Sequence, residues 1–121
     1  MRTVSGPHPE RYYGVDIAED GTLVVAERPG GHRAPAARYP AGSAGALALR
    51  NHIAGETVHS HVCIRSDGSA ALALASALIP LPGSEVTIVA SHAIASRGFE
   101  SVPPNAEERA RRLAELAERF F

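Results

Sequence analysis

The stretch that most constrains the fold is YYGVDIAEDGTLVVAE, from Tyr12 to Glu27, where an acid sits among β-branched residues and the chain then reverses at once. Val15 and Ile17 alternate with Gly14, Asp16 and Ala18, so a strand here sends the apolar pair to one face and Asp16 to the other. Asp is disfavoured in strands. A carboxylate placed among Val and Ile costs free energy unless it is paired, hydrogen-bonded or bound to a cation. Glu19, Asp20 and Gly21 supply turn chemistry, and TLVVA, Thr22 to Ala26, returns as the second strand of a hairpin. A strand with an inward Asp that turns straight back is how several metal-dependent nuclease and phosphotransferase folds begin.

The rest of the chain reads in order. Residues 1–11, with Gly6, Pro7 and Pro9, form a loose arm, and residues 12–121 form a single domain. Arg28-Pro29-Gly30-Gly31 is a second turn. His32 to Tyr39 returns as a third strand, which Pro35 assigns to the sheet edge. Ser43 to Ala54 is a helix with Ala46, Leu49 and Ile53 on one face, Ser43 as its cap and Gly55 as its stop. Val58 to Arg65 is a strand with Val58, Val62 and Ile64 on one side and His59, His61 and Cys63 on the other. Ala70 to Ile79 has so little polar character that it predicts a buried helix, ended by Pro80 and Pro82. Glu85 to Ala90 predicts a buried strand, followed by a connection from Ser91 to Pro104. The final helix is the clearest. Asn105 caps it with Glu108 three residues on, Leu113, Leu116, Ala117 and Phe120 form its apolar stripe, and Glu107–Arg111, Glu108–Arg112 and Glu115–Arg119 are i,i+4 pairs.

Three strands followed by helix, strand, helix, strand, helix predict an α/β fold. Its mixed five-stranded sheet has three antiparallel strands, then right-handed βαβ crossovers, with helices on its faces. That is the ribonuclease-H-like order of elements.

Composition narrows the function classes. The formal net charge of −1 argues against a general polyanion binder, and every basic residue is Arg. One cysteine, Cys63, excludes an internal disulfide framework and a cysteine-rich zinc site. His59 and His61 make a His-x-His pair able to chelate zinc, but the spacing indicates no further ligand. The N-terminus lacks the apolar core of a signal peptide and no apolar run reaches membrane-spanning length, which predicts a cytoplasmic protein without membrane partners.

Beyond element order, several stretches resemble the N-terminal RuvC-like domain of the Piv/MooV-type bacterial insertion-sequence transposases. They are GVDIAEDGTLVVA at the hairpin, RYPAGSAGALAL leading into the first helix, VCIRSDGSAALALASAL across the fourth strand and second helix, EVTIVAS, and RARRLAELA in the last helix. The resemblance covers nearly the whole chain from Tyr12. It implies a fold that cuts and rejoins DNA using Mg or Mn held by four acidic residues, a DEDD set. Two cations about 3.5 to 4 Å apart activate the attacking oxygen and stabilise the leaving one, and carboxylates hold both. Asp16 matches the first acid. The second position falls at Arg65 and the last two at Ala106 and Arg109, so three of the four acids are replaced.

The resemblance therefore implies a catalytically impaired domain that associates with DNA or is a transposase-derived remnant. Two alternatives stand beside it. Asp67, two residues past Arg65, with Glu107 or Glu108 and Asp16, would give an active Mg- or Mn-dependent nuclease. A ligand-free interaction module or homodimer is the other, and the terminal pair Phe120-Phe121 suits docking. The residues also carry plainer readings. Asp16 is a carboxylate satisfied by hairpin amides or a nearby Arg, Asp67 serves as a turn or cap residue, Glu107 and Glu108 suit the positive end of a helix dipole, and His92 is a neutral histidine bonded to backbone. DIAEDGT is also similar to the phosphate-binding hairpin of actin-like sugar kinases and ATPases, which need a second domain to close over the nucleotide.

Overall fold

The computed structural model describes residues 10–28, 36–55, 59–65, 68–89 and 105–120, without the Phe120 side chain. Five strands and three helices follow one another: β1 (Glu10–Ile17), β2 (Leu23–Arg28), β3 (Ala37–Tyr39), α1 (Gly42–Ala54), β4 (His59–Arg65), α2 (Ser69–Leu78), β5 (Ser84–Val89) and α3 (Ala106–Phe120). The sheet order is β3-β2-β1-β4-β5, with β2 antiparallel to its neighbours β1 and β3 while β1, β4 and β5 run parallel. This is the ribonuclease-H-like arrangement expected from the order of elements.

The hairpin forms for the reasons its residues suggest. Gly21 takes a φ of 89°, open to it at no steric cost, and its amide donates to the Ala18 carbonyl at 2.8 Å. Asp20 accepts from the Thr22 amide at 3.0 Å, and that bond is the chief reason its carboxyl titrates below the usual range. The resulting register pairs Val15 with Val25 and Asp16 with Val24.

Alternation along β1 divides the protein into two layers. Tyr13, Val15 and Ile17 join Leu23, Val25, Val62 and Ile64 under α1 and α2, in a core with Leu49, Ile53, Leu74 and Leu78. Val24, Ala26 and Cys63 face α3, which presents Ala110, Leu113, Ala114, Leu116 and Ala117. The sequence predicts Leu113, Leu116 and Ala117 on that stripe, and Ala110 and Ala114 extend it. They set the distance of α3 from the sheet, because a Cβ on Gly14 would lie 2.0 Å from the Ala110 carbonyl oxygen and 2.3 Å from the Ala114 amide nitrogen. Only glycine fits there.

Several boundaries and environments differ from those the sequence predicts. Glu10 and Arg11, read as part of a loose arm, extend β1 by pairing with His59 and Ser60 of β4. Ser43 does not cap α1; the cap position is Ala41, without a side-chain hydrogen bond, and Ser43 lies inside the helix. α2 is not buried all round. Ala71, Leu74, Ala75 and Leu78 turn inward while Leu72 and Ile79 are 62% and 61% exposed, because the helix lies on one face of the core and no described element packs on its outer side. β5 is an edge strand and only half-buried, since it has β4 on one side alone. The third strand is Ala37–Tyr39, at the edge as Pro35 implied, while residues 29–35 lie outside the described residues. So do Asp67, His92 and Phe121. Among the described residues no helix is long and apolar enough to cross a membrane.

The Gly14 contact gives a direct test. Gly14→Ala forces backbone against backbone, so it should cost about 3 kcal/mol or more, read as a lower urea midpoint at unchanged slope.

Candidate functional site

Three chain segments meet at the C-terminal end of β1. In the parallel register Val15 lies beside Ile64, which sets Asp16 next to Arg65, the last residue of β4. On α3, Arg109 precedes Ala110, the residue seated on Gly14, and so falls over the next inward-facing position of β1. The outcome is an ion triad. Asp16 is completely buried, its Oδ1 accepting from Arg65 Nε and, at 3.1 Å, from Arg109 Nε. Arg65 also donates through Nη2 to the Ile17 carbonyl at 3.4 Å, tying the end of β4 to the start of the hairpin. The Arg65 and Arg109 side chains are themselves mostly covered, 14% and 17% exposed.

This answers the question raised by an acid in an apolar strand. A buried carboxylate without a partner costs several kcal/mol, and here two guanidiniums converge on one oxygen. The Asp16 Oδ2 atom has no hydrogen-bond partner among the described residues. Counting formal charges, one carboxylate and two guanidiniums leave the triad at +1. Such a set does not suit a pair of divalent cations, which need several carboxylates and are repelled by arginine. Arginine forks instead match carboxylate or phosphate.

The other acids named from the sequence have separate partners. Glu107 accepts from Arg111 Nη2 at 2.6 Å and from the Ala36 amide at 3.4 Å, with Arg38 at 3.9 Å on its other oxygen. Glu108 lies 3.7 Å from both Arg111 and Arg112, and its amide donates to Asn105 Oδ1 at 2.7 Å, so the predicted cap is present. Ala106, the remaining aligned position, begins α3. Among the described residues no group of three His, Cys, Asp or Glu side chains is placed to hold a metal ion.

The histidines of β4 also part company. His59 is exposed, Cys63 is buried under α3, and His61 lies between Glu85 at 3.3 Å and Glu10 at 3.7 Å while stacking on Tyr12 with ring centroids 5.3 Å apart. The Tyr12 hydroxyl donates to Glu10 Oε1 at 2.6 Å. This cluster sits at the opposite end of β1 from the triad. The sequence hides this cluster, because Glu10 reads there as part of the arm and so outside the sheet.

No protein-family model matches the chain, and no curated protein matches it in sequence.

The Tyr12 environment makes a pH prediction. The hydrogen bond to Glu10 is the largest influence holding the phenol protonated, with burial next, and the pKa is pushed up to about 12. The phenol stays neutral in the folded protein where the unfolded chain ionises, so the stability this supplies is intact below about pH 10 and lost as the pH rises towards 12. Ultraviolet titration should show a tyrosine ionising near pH 12 that is absent in Tyr12→Phe, beside Tyr39, whose phenol burial also shifts upward.

Proposed function

We propose that this chain is a catalytically silent ribonuclease-H-like domain of the transposase type, which associates with nucleic acid without cutting it. One observation carries the reading. Positions 16, 65 and 109, which the resemblance aligns with metal-binding acids, come together in space, but two of the three hold arginine bonded to the surviving aspartate. Exchange of acids for arginines turns a site that would hold cations into one with a net positive charge at the C-terminal ends of parallel strands. In open α/β sheets that end is where ligands are bound. The remaining aspartate then serves to fix the two guanidiniums rather than to coordinate metal. Mg and Mn have no role in this reading.

Nucleic-acid association follows from the guanidinium chemistry, since arginine pairs with phosphate in a planar fork. The low net charge of the chain limits the contact to a local one, so affinity should be modest and strongly salt-dependent.

The test uses fluorescently labelled single-stranded and branched DNA with the wild-type chain. Anisotropy at low salt should show binding whose logarithm falls linearly with the logarithm of salt concentration, and no cleavage should appear in magnesium or manganese. Cleavage that disappears in Asp16→Asn would overturn the silent assignment and favour the active-nuclease alternative. Absence of DNA binding at low salt would overturn the nucleic-acid assignment.

A further inference from the structure

A second feature lies on the opposite face of the sheet from the triad. Between α1 and α2 runs an open cleft of about 520 Å³, floored by the buried side chains of Ile17, Leu23 and Leu74. It exists because the facing helix positions are small. Ala46 of α1 and Ala73 and Ala77 of α2 line it, and three methyl groups leave unfilled what larger side chains would occupy. Its size falls within the range of small-molecule sites, which are mainly apolar with a few placed polar groups.

The charged group here is Arg50, half-buried on the wall of the cleft, with Ser43 and Ser76 the other polar side chains lining it. Every other arginine among the described residues has a partner: Arg11 with Glu27, Arg28 with Glu118, Arg38 and Arg111 with Glu107, Arg65 and Arg109 with Asp16, Arg112 with Glu108, and Arg119 with a contact of its own. Arg50 has no hydrogen-bond or ion-pair partner among those residues. An apolar trough beside one uncompensated cation is complementary to a molecule with an aliphatic tail and a single anionic head. A bare anion would leave the trough wet, and a neutral hydrocarbon would leave the guanidinium unpaired. The rim residue Leu47, 52% exposed, adds apolar surface where a tail would leave water.

We infer that the α1–α2 cleft binds a medium-chain fatty acid, its tail lying along Ala46, Ala73 and Ala77 and its carboxylate paired with Arg50. This site stands independently of the reading given to the triad, since the two occupy different layers of the fold.

Calorimetry on the wild-type chain with decanoate, below its micelle-forming concentration, tests it. Decanoate should bind saturably, while acetate and decyltrimethylammonium, which lack the tail and the anionic head respectively, should not. Arg50→Gln should weaken decanoate binding by about tenfold or more, the value of one charge-assisted hydrogen bond. Ala77→Leu, which fills the trough while keeping the helix, should abolish it, with far-ultraviolet circular dichroism confirming that both variants fold. Equal binding of decyltrimethylammonium, an unchanged affinity in Arg50→Gln, or no decanoate binding overturns the assignment. A dimer seen in sedimentation that Leu47→Arg dissolves and decanoate leaves intact also overturns it, and gives the cleft to a second copy of the chain.

Discussion

The structure depends on how one buried carboxylate is neutralised. Asp16 lies near the C-terminal end of the central strand, which β2 and β4 flank and α3 covers, and it is fully buried. In that position the cost of burial has to be met locally. Arg65 approaches along the sheet and Arg109 from the helix layer, so the pairing joins β1, β4 and α3 at one point. Removing one member of such a set leaves an uncompensated charge, at about 3 to 5 kcal/mol, whereas well-packed apolar replacement of the whole set is often nearly neutral. The triad is thus better understood as a specification of geometry than as a large source of stability.

Close packing makes that geometry possible. Arg109 reaches Asp16 because Ala110 and Ala114 let α3 settle against Gly14, two residues earlier on the same face of β1. A bulkier residue at any of the three positions would lift the helix and with it the guanidinium. At the far end of the sheet Arg28 of β2 meets Glu118 of α3 at 2.6 Å, so the helix is pinned by charge near both ends and by small side chains between. The opposite layer has no such economy of space. There the small residues of α1 and α2 face one another across a gap, and the same choice of alanine that permits close approach on one side of the sheet leaves a cleft on the other.

Much of the fold was readable from the sequence because local signals agreed with tertiary demands. Period-two alternation around Asp16, the turn at Asp20-Gly21 and the Asn105 cap each act over a few residues, and each appears in the structure. The mixed sheet followed from element order and the handedness of crossovers. Environment was harder. The apolar character of α2 and β5 suggested burial, yet composition does not say whether another layer exists to cover a helix or whether a strand lies at an edge. The site was half visible. Asp16 announced itself as an acid out of place that a nearby arginine could satisfy, and alignment put Arg65 and Arg109 where two metal-binding acids would stand, but nothing local named those two as its partners. That they bond to Asp16 depends on strand register and on the depth at which α3 sits. Neither is written in local sequence. Arg50 carried no signal at all, since its distinction is that no carboxylate pairs with it among the described residues, which only the assembled fold reveals.

The most direct measurement of the central claim is a thermodynamic cycle through the triad, with Asp16→Leu, Arg65→Met and Arg109→Met made singly and together and unfolded in urea. A mutually compensating ion set predicts that Asp16→Leu alone costs about 3 to 5 kcal/mol and that the triple variant recovers most of that loss. Losses that simply add across the three substitutions would contradict it, because independent side chains, not a shared buried charge balance, would then account for the site.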